Sequence, residues 1–332
     1  MLAISISPRR SAIYFKSEKP LFRNNNHIGR LEMPKDNRPK ITMSQKAQNR
    51  IRNAINWLCY LSPTRTVSHG KNKKIKNFSI SFITLTLPAK QRHSHQDIRT
   101  KCLNHFLTIL RQRFKVHNYV WKAELQQNGN IHFHLTIDKY IHYMIIRKYW
   151  NRTLSKLGYI SDYAKKFRNM TFQEYADYRK KRGEKNLKKI KTAYTYGVNT
   201  FWRNPNTTDV KKVNQIRNLA SYLSKYLSKK ITDKNNTPEQ VKSAKSYTGR
   251  IWFLSQSLSK MKNVSIPYEG DNRRALQFME KLKSVQSKVF DWVTLFWYDM
   301  ATFPPNLREF FRQILVSHAI NNGYQFPAGF PP

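Results

Sequence analysis

Two pairs of histidines in this chain stand one residue apart: His132-Phe133-His134 and His93-Ser94-His95. Two imidazoles hold one divalent cation when both point the same way, and a carboxylate makes a typical third ligand. The first pair lies in GNIHFHLTID (129–138), whose alternation is that of a strand. Both rings then share one face, while Phe133, Leu135 and Ile137 face the other. Two polar residues on a solvated strand face would give the same pattern. The second pair lies in RQRHSHQD, between a proline-ended strand and a helix, and is expected to be loop surface.

Glu124 stands on the strand before Asn128-Gly129, the strongest short-range hairpin signal. With a two-residue Asn128-Gly129 turn, Glu124 faces Phe133 and misses the histidines. With a three-residue Gln127-Asn128-Gly129 loop, in which Gly129 takes the left-handed position of a bulge, Glu124 lies beside His132. Shared ligation requires the three-residue loop.

A second kind of chemistry is offered by NLASYLSKYLSKK (218–230). Tyr222 and Tyr226 are four apart, on one helix face, and each is followed three positions later by a lysine, Lys225 and Lys229. Leu219, Leu223 and Leu227 form a stripe for docking. Tyrosine, with an ordinary pKa of about 10, attacks phosphorus when a metal polarises the phosphate and a cation favours the phenolate. A basic amphipathic helix that merely binds phosphate would look the same.

The elements that must position these residues follow from periodicity. Residues 1–45 read as a loosely ordered basic arm, and Ser44 as the N-cap of a helix reaching Leu61. Ser68–Asn77 reads as a basic linker, Phe78–Leu87 as a strand closed by Pro88, and Asp97–Phe114 as a helix. Tyr119–Asp138 holds the hairpin, and Ile141–Leu157 a helix. Residues 160–192 are crowded with Lys and Arg and are expected to form an exposed helical insertion. A strand over Thr207–Val213 leads to a helix, Gln215–Ile231. A polar connector (232–247) and a last strand (Gly249–Leu254) follow, and the chain from about 270 reads as helical. The order βαββα, then β and α, predicts an α+β fold: a central antiparallel sheet with helices packed on it, plus a helical C-terminal region. Its expected divisions are a basic arm and helix (1–75), a catalytic domain (76–260) and a helical C-terminal region (261–332).

Charge narrows the partner. The chain has 61 Lys and Arg against 19 Asp and Glu, a net charge of +42. A body that basic calls for a polyanion, and nucleic acid rewards each neutralised phosphate by counterion release. A ribosomal or membrane-surface protein would share this composition. No apolar run approaches the ~20 residues that cross a bilayer. Met1–Arg10 has its apolar stretch before its basic pair, the reverse of a signal peptide. Cys59 and Cys102 alone make neither a zinc cluster nor a disulfide framework, which fits a reducing cytoplasm.

Taken together, the strand FITLTLP (82–88), the His132-Phe133-His134 strand and the tyrosine segment resemble, in order, the HUH endonuclease superfamily. The resemblance is to two-tyrosine rolling-circle replication initiators of single-stranded-DNA phages and bacterial plasmids, and covers roughly 76–260. TTDV (207–210) and GRIW (249–252) are similar to lesser landmarks of such proteins. The resemblance implies a ferredoxin- or RRM-like sheet with His132, His134 and, less directly, Glu124 as metal ligands. It further implies Tyr222 and Tyr226 as alternating nucleophiles supported by Lys225 and Lys229, and Mg²⁺ or Mn²⁺ as cofactor. The expected partners are a single-stranded DNA origin, a host helicase and a polymerase, in the cytoplasm of a bacterial host with no membrane attachment. No GxxxxGK[ST] sequence is present, so no fused helicase is expected. A transposase or relaxase of the same superfamily would share the chemistry, and a non-catalytic nucleic-acid-binding protein would account for the charge alone.

Overall fold

A computed structural model describes residues 1–16, 43–62, 65–67, 76–78, 80–212 and 237–326. The fold is α+β, as expected, with two five-stranded antiparallel sheets among the described residues.

The first sheet carries the histidines. Its strands are β5 (Ser81–Leu85), β6 (Tyr119–Leu125), β7 (Ile131–Ile137), β8 (Thr208–Lys212) and β9 (Trp252–Leu254), in the order β8-β5-β7-β6-β9. Alternation divides its residues between two faces. Ile83, Leu85, Trp121, Ala123, Phe133, Leu135 and Ile137 enter one core. That core is closed by α2 (His95–Asp97), a π-helical stretch (Ile98–Leu103), α3 (Asn104–Phe114) and α4 (Tyr143–Ser155). On the opposite face Phe82, Val120 and Leu254 enter a second core shared with α1 (Gln45–Leu61). Ser44 caps α1 as its sequence predicts, its Oγ accepting from the Ala47 amide at 3.2 Å.

The second sheet departs from expectation. Where a loose arm was expected, β1 (Leu2–Ser7) and β2 (Arg10–Phe15) form a hairpin. Where the C-terminal region was expected to be helical, β10 (Val264–Pro267), β11 (Gln286–Phe290) and β12 (Val293–Trp297) join that hairpin in the order β10-β1-β2-β12-β11. Each strand is short, and its partner lies far away in sequence, as with Ala3 and Pro267. Local periodicity carries no trace of such pairing. Within the basic linker, β3 (Arg65–Val67) and β4 (Lys76–Phe78) pair with each other.

The basic insertion comprises α5 (Tyr159–Phe167), α6 (Phe172–Lys181) and α7 (Leu187–Asn199). It is more than an exposed appendage, because Phe167, Tyr175, Ile190 and Trp202 form a small core of its own. Trp202 lies so close to α7 that a methyl group on Gly197 would come within 2.4 Å of its ring. The segment read as a polar connector contains α8 (Pro238–Lys245). This helix lacks an apolar stripe, and is set by a capping box of Thr237 and Gln240. After β9 come α9 (Gln256–Lys260), α10 (Gly270–Glu280) and α11 (Pro305–Asn321). The two cysteines lie in different cores, and burial pushes both thiols up to about 12. No helix among the described residues is long and apolar enough to cross a membrane.

Candidate metal centre

The β6–β7 hairpin adopts the three-residue loop. Gly129 has φ +79°, and its amide donates to the Gln126 carbonyl at 2.8 Å. Leu125 pairs with Ile131 and Glu124 with His132. Asn128 tightens the turn by accepting from the Asn130 amide at 3.1 Å. Two neighbours hold this register. The Gln91 side chain accepts from the Ile131 amide, and Asn130 bonds Ala89 and Gln91. From the other side α8 donates to successive hairpin carbonyls: Thr237 to Gln127, Gln240 to Leu125 and Ser243 to Gly129.

With that register, Glu124, His132 and His134 converge. His132 Nε2 stands 3.4 Å and His134 Nε2 3.2 Å from the same oxygen, Glu124 Oε2. The three ligand atoms lie within 4.8 Å of one another. Ligands ~2.1 Å from one octahedral ion stand ~3 Å apart, so small adjustments would bring these onto a common cation. Two imidazoles and a carboxylate fit a divalent transition metal or Mg²⁺; the donor set does not choose among them. Burial pushes the Glu124 carboxyl up, but the two imidazoles and the Lys122 ammonium outweigh it and hold the group well below the usual carboxylate range.

The surroundings orient these ligands. Lys122 Nζ contacts the second oxygen, Glu124 Oε1, at 2.9 Å, with the lysine side chain 3% exposed. Thr84 Oγ1 lies 3.2 Å from His134 Nδ1, which leaves Nε2 directed at Glu124. Phe82 stacks on His134 at 5.4 Å where the α1 core ends. The triad therefore sits at the margin of a covered face, dry on one side and partly open on the other. Lys122 and Thr84 escaped sequence reasoning. Period two alone places Lys122 on the face of Glu124, so a lysine in an otherwise apolar strand was the available signal.

The second histidine pair is a structural clamp. His95 is buried, contrary to its expected place on a loop surface. Its Nε2 lies 2.9 Å from Ser243 Oγ, which donates to the Gly129 carbonyl, and its ring packs on Tyr247. His93 turns to Tyr159. Tyr222, Tyr226, Lys225 and Lys229 lie outside the described residues.

The chain matches a known family over residues 80–231. That family is the replication-associated protein ORF2 family. The matched span includes β5, the triad hairpin, the insertion, β8 and the tyrosine segment. The similarity supports a replication initiator that binds DNA. No curated protein and no solved structure matches the chain.

Proposed function

We propose that this protein initiates rolling-circle replication by nicking single-stranded DNA at an origin and later rejoining strands, as a two-tyrosine HUH endonuclease. The observation carrying the proposal is the convergence of Glu124, His132 and His134 inside the span that matches replication-associated proteins. A second observation supports it. The described residues bounding the tyrosine segment, Lys212 and Thr237, are both tied to the triad sheet: Lys212 pairs with Ser81, and Thr237 bonds Gln127.

In this mechanism Glu124, His132 and His134 hold Mg²⁺ or Mn²⁺, which when bound polarises the scissile phosphate. Lys122 occupies one Glu124 oxygen and leaves the other for ligation, and Thr84 fixes the His134 ring. The phenol of Tyr222 or Tyr226 loses its proton and attacks phosphorus, with Lys225 and Lys229 favouring the anion. The bond to the 3′ oxygen breaks, that oxygen takes up a proton, and the 5′ phosphate remains esterified to tyrosine. Reversal by a 3′ hydroxyl reseals the strand without ATP, and the second tyrosine serves the next cut. Host helicase and polymerase would extend the freed 3′ end in the bacterial cytoplasm.

The test is incubation of a labelled origin oligonucleotide with Mn²⁺, with and without chelator. A covalent protein–DNA adduct that chelator prevents is expected. Tyr222→Phe and Tyr226→Phe should each retain some adduct, and the double variant none. An adduct formed equally in chelator, or persisting in the double variant, overturns the proposal.

A further inference from the structure

The helical insertion holds a cleft that the triad does not use. It measures about 440 Å³, within the ~300–1,000 Å³ of small-ligand sites. Phe167 and Tyr175 belong to the buried core at its base, whereas Tyr163, Tyr178 and Arg179 are half-buried along its walls and Arg182 is exposed at its rim. The mouth is open at Gly183, where a methyl group would meet nothing within 4 Å.

The lining combines flat rings with flat cations. Arg182 lies over the Tyr178 ring at 5.1 Å, and Arg179 over Tyr175 at 5.9 Å. A guanidinium stacked on a ring offers its outer plane to a further planar group, and its N–H groups to phosphate. The Tyr163 hydroxyl lines the same cleft and has no hydrogen-bond partner among the described residues. Burial pushes that phenol up to about 12, so it stays protonated and able to donate. The insertion from 159 to 199 carries eleven Lys and Arg against four Asp and Glu, which suits an anionic chain.

We propose that this cleft takes an unpaired base of single-stranded DNA, stacked on the Arg182–Tyr178 pair, with the adjoining phosphate held by Arg179 and Arg182. That the strand is DNA rests on the function proposed above. The cleft is also joined to the triad hairpin. Pro88 forms part of its wall, and the next residues, Ala89 and Gln91, bond Asn130. Pro88 lies three residues beyond Leu85, the partner of Phe133, which is ~10 Å at the rise of a strand. A strand engaged at the triad thus has the cleft a few nucleotides away.

The experiment uses full-length protein in chelator, so that no cutting occurs, with origin oligonucleotides carrying 2-aminopurine at successive positions. Wild type should quench the fluorophore at one or two positions. Tyr178→Leu and Arg182→Gln should lose that quenching and bind roughly five- to a hundredfold more weakly, the range for one lost stacked base. An oligonucleotide abasic at the quenched position should bind wild type and variants alike. Arg182 is exposed, so Arg182→Gln carries the test even if Tyr178→Leu fails to fold. A His132→Ala/His134→Ala variant should keep the quenching, which separates this site from the nicking chemistry. If folded Arg182→Gln quenches like wild type, or loses as much affinity for the abasic strand as for the intact one, the cleft is not a base site.

Discussion

The two histidine pairs share a spacing and nothing else. In β7 the backbone is extended, so His132 and His134 lie side by side with ring centroids 4.6 Å apart, and Glu124 across the ladder completes a triad. At the entry to α2 the chain turns, with Ser94 as N-cap. His93 and His95 there diverge onto Tyr159 and Ser243. No carboxylate joins them in a three-ligand group among the described residues. The lesson is that an HxH pattern becomes a chelate only where the backbone makes two residues one repeat of a strand. Elsewhere the same side chains serve packing. The pairs are nevertheless linked, because His95 acts through Ser243 on the Gly129 turn that sets the triad's register.

The largest expected contrast comes from the ligands. His132→Ala and His134→Ala should each reduce Mn²⁺ affinity, followed by calorimetry or electron paramagnetic resonance, by more than the ~10–100-fold typical of outer-shell changes. His93→Ala should leave one bound ion with unaltered affinity. Equal losses from both pairs would erase the distinction. Next comes Glu124→Ala, which strands the buried Lys122 ammonium and should cost ~3–5 kcal/mol in urea unfolding of the metal-free protein. Adding Lys122→Met should recover much of that. Because Glu124 remains ionised below the ordinary carboxylate range, wild type holds this stability above pH ~4 and loses it as the pH falls further. The gap between wild type and Glu124→Ala should therefore narrow in acid. A constant gap would mean that the ion pair contributes nothing.

Smaller effects sharpen the comparison. Thr84→Val frees the His134 ring and should weaken Mn²⁺ binding ~10-fold while leaving the melting temperature nearly unchanged. Gly129→Ala forces a side chain onto φ +79° and to 3.0 Å from the Glu239 carbonyl, and should destabilise by ~1–2 kcal/mol. Ser243→Ala removes one buried hydrogen bond, worth ~1 kcal/mol, with a matching rise in amide exchange confined to Gln127–Ile131. An unchanged exchange rate there would show that the second pair does not brace the first.

Much of the site was legible because strand alternation is a local property. His132 and His134 share a face whatever the rest of the chain does, and Asn128-Gly129 marks a turn by its own conformational preferences. The helix capped by Ser44 and the α+β order were likewise written in neighbouring residues. The partner of His132 was not. A two-residue and a three-residue loop suit Asn128-Gly129 alike, and a shift of one residue moves Glu124 to the other face. What decided between them were bonds from Gln91 and from α8, residues ~40 and ~110 positions away. The sheet that joins the N-terminal hairpin to the C-terminal strands belongs to the same class. Its strands are short, and each is stabilised by a neighbour that only folding brings near, as when Ile6 meets Val264. The sequence by itself determined which side chains could act together; the tertiary structure decided which of them meet, because register and sheet partnership are set by contacts distant along the chain.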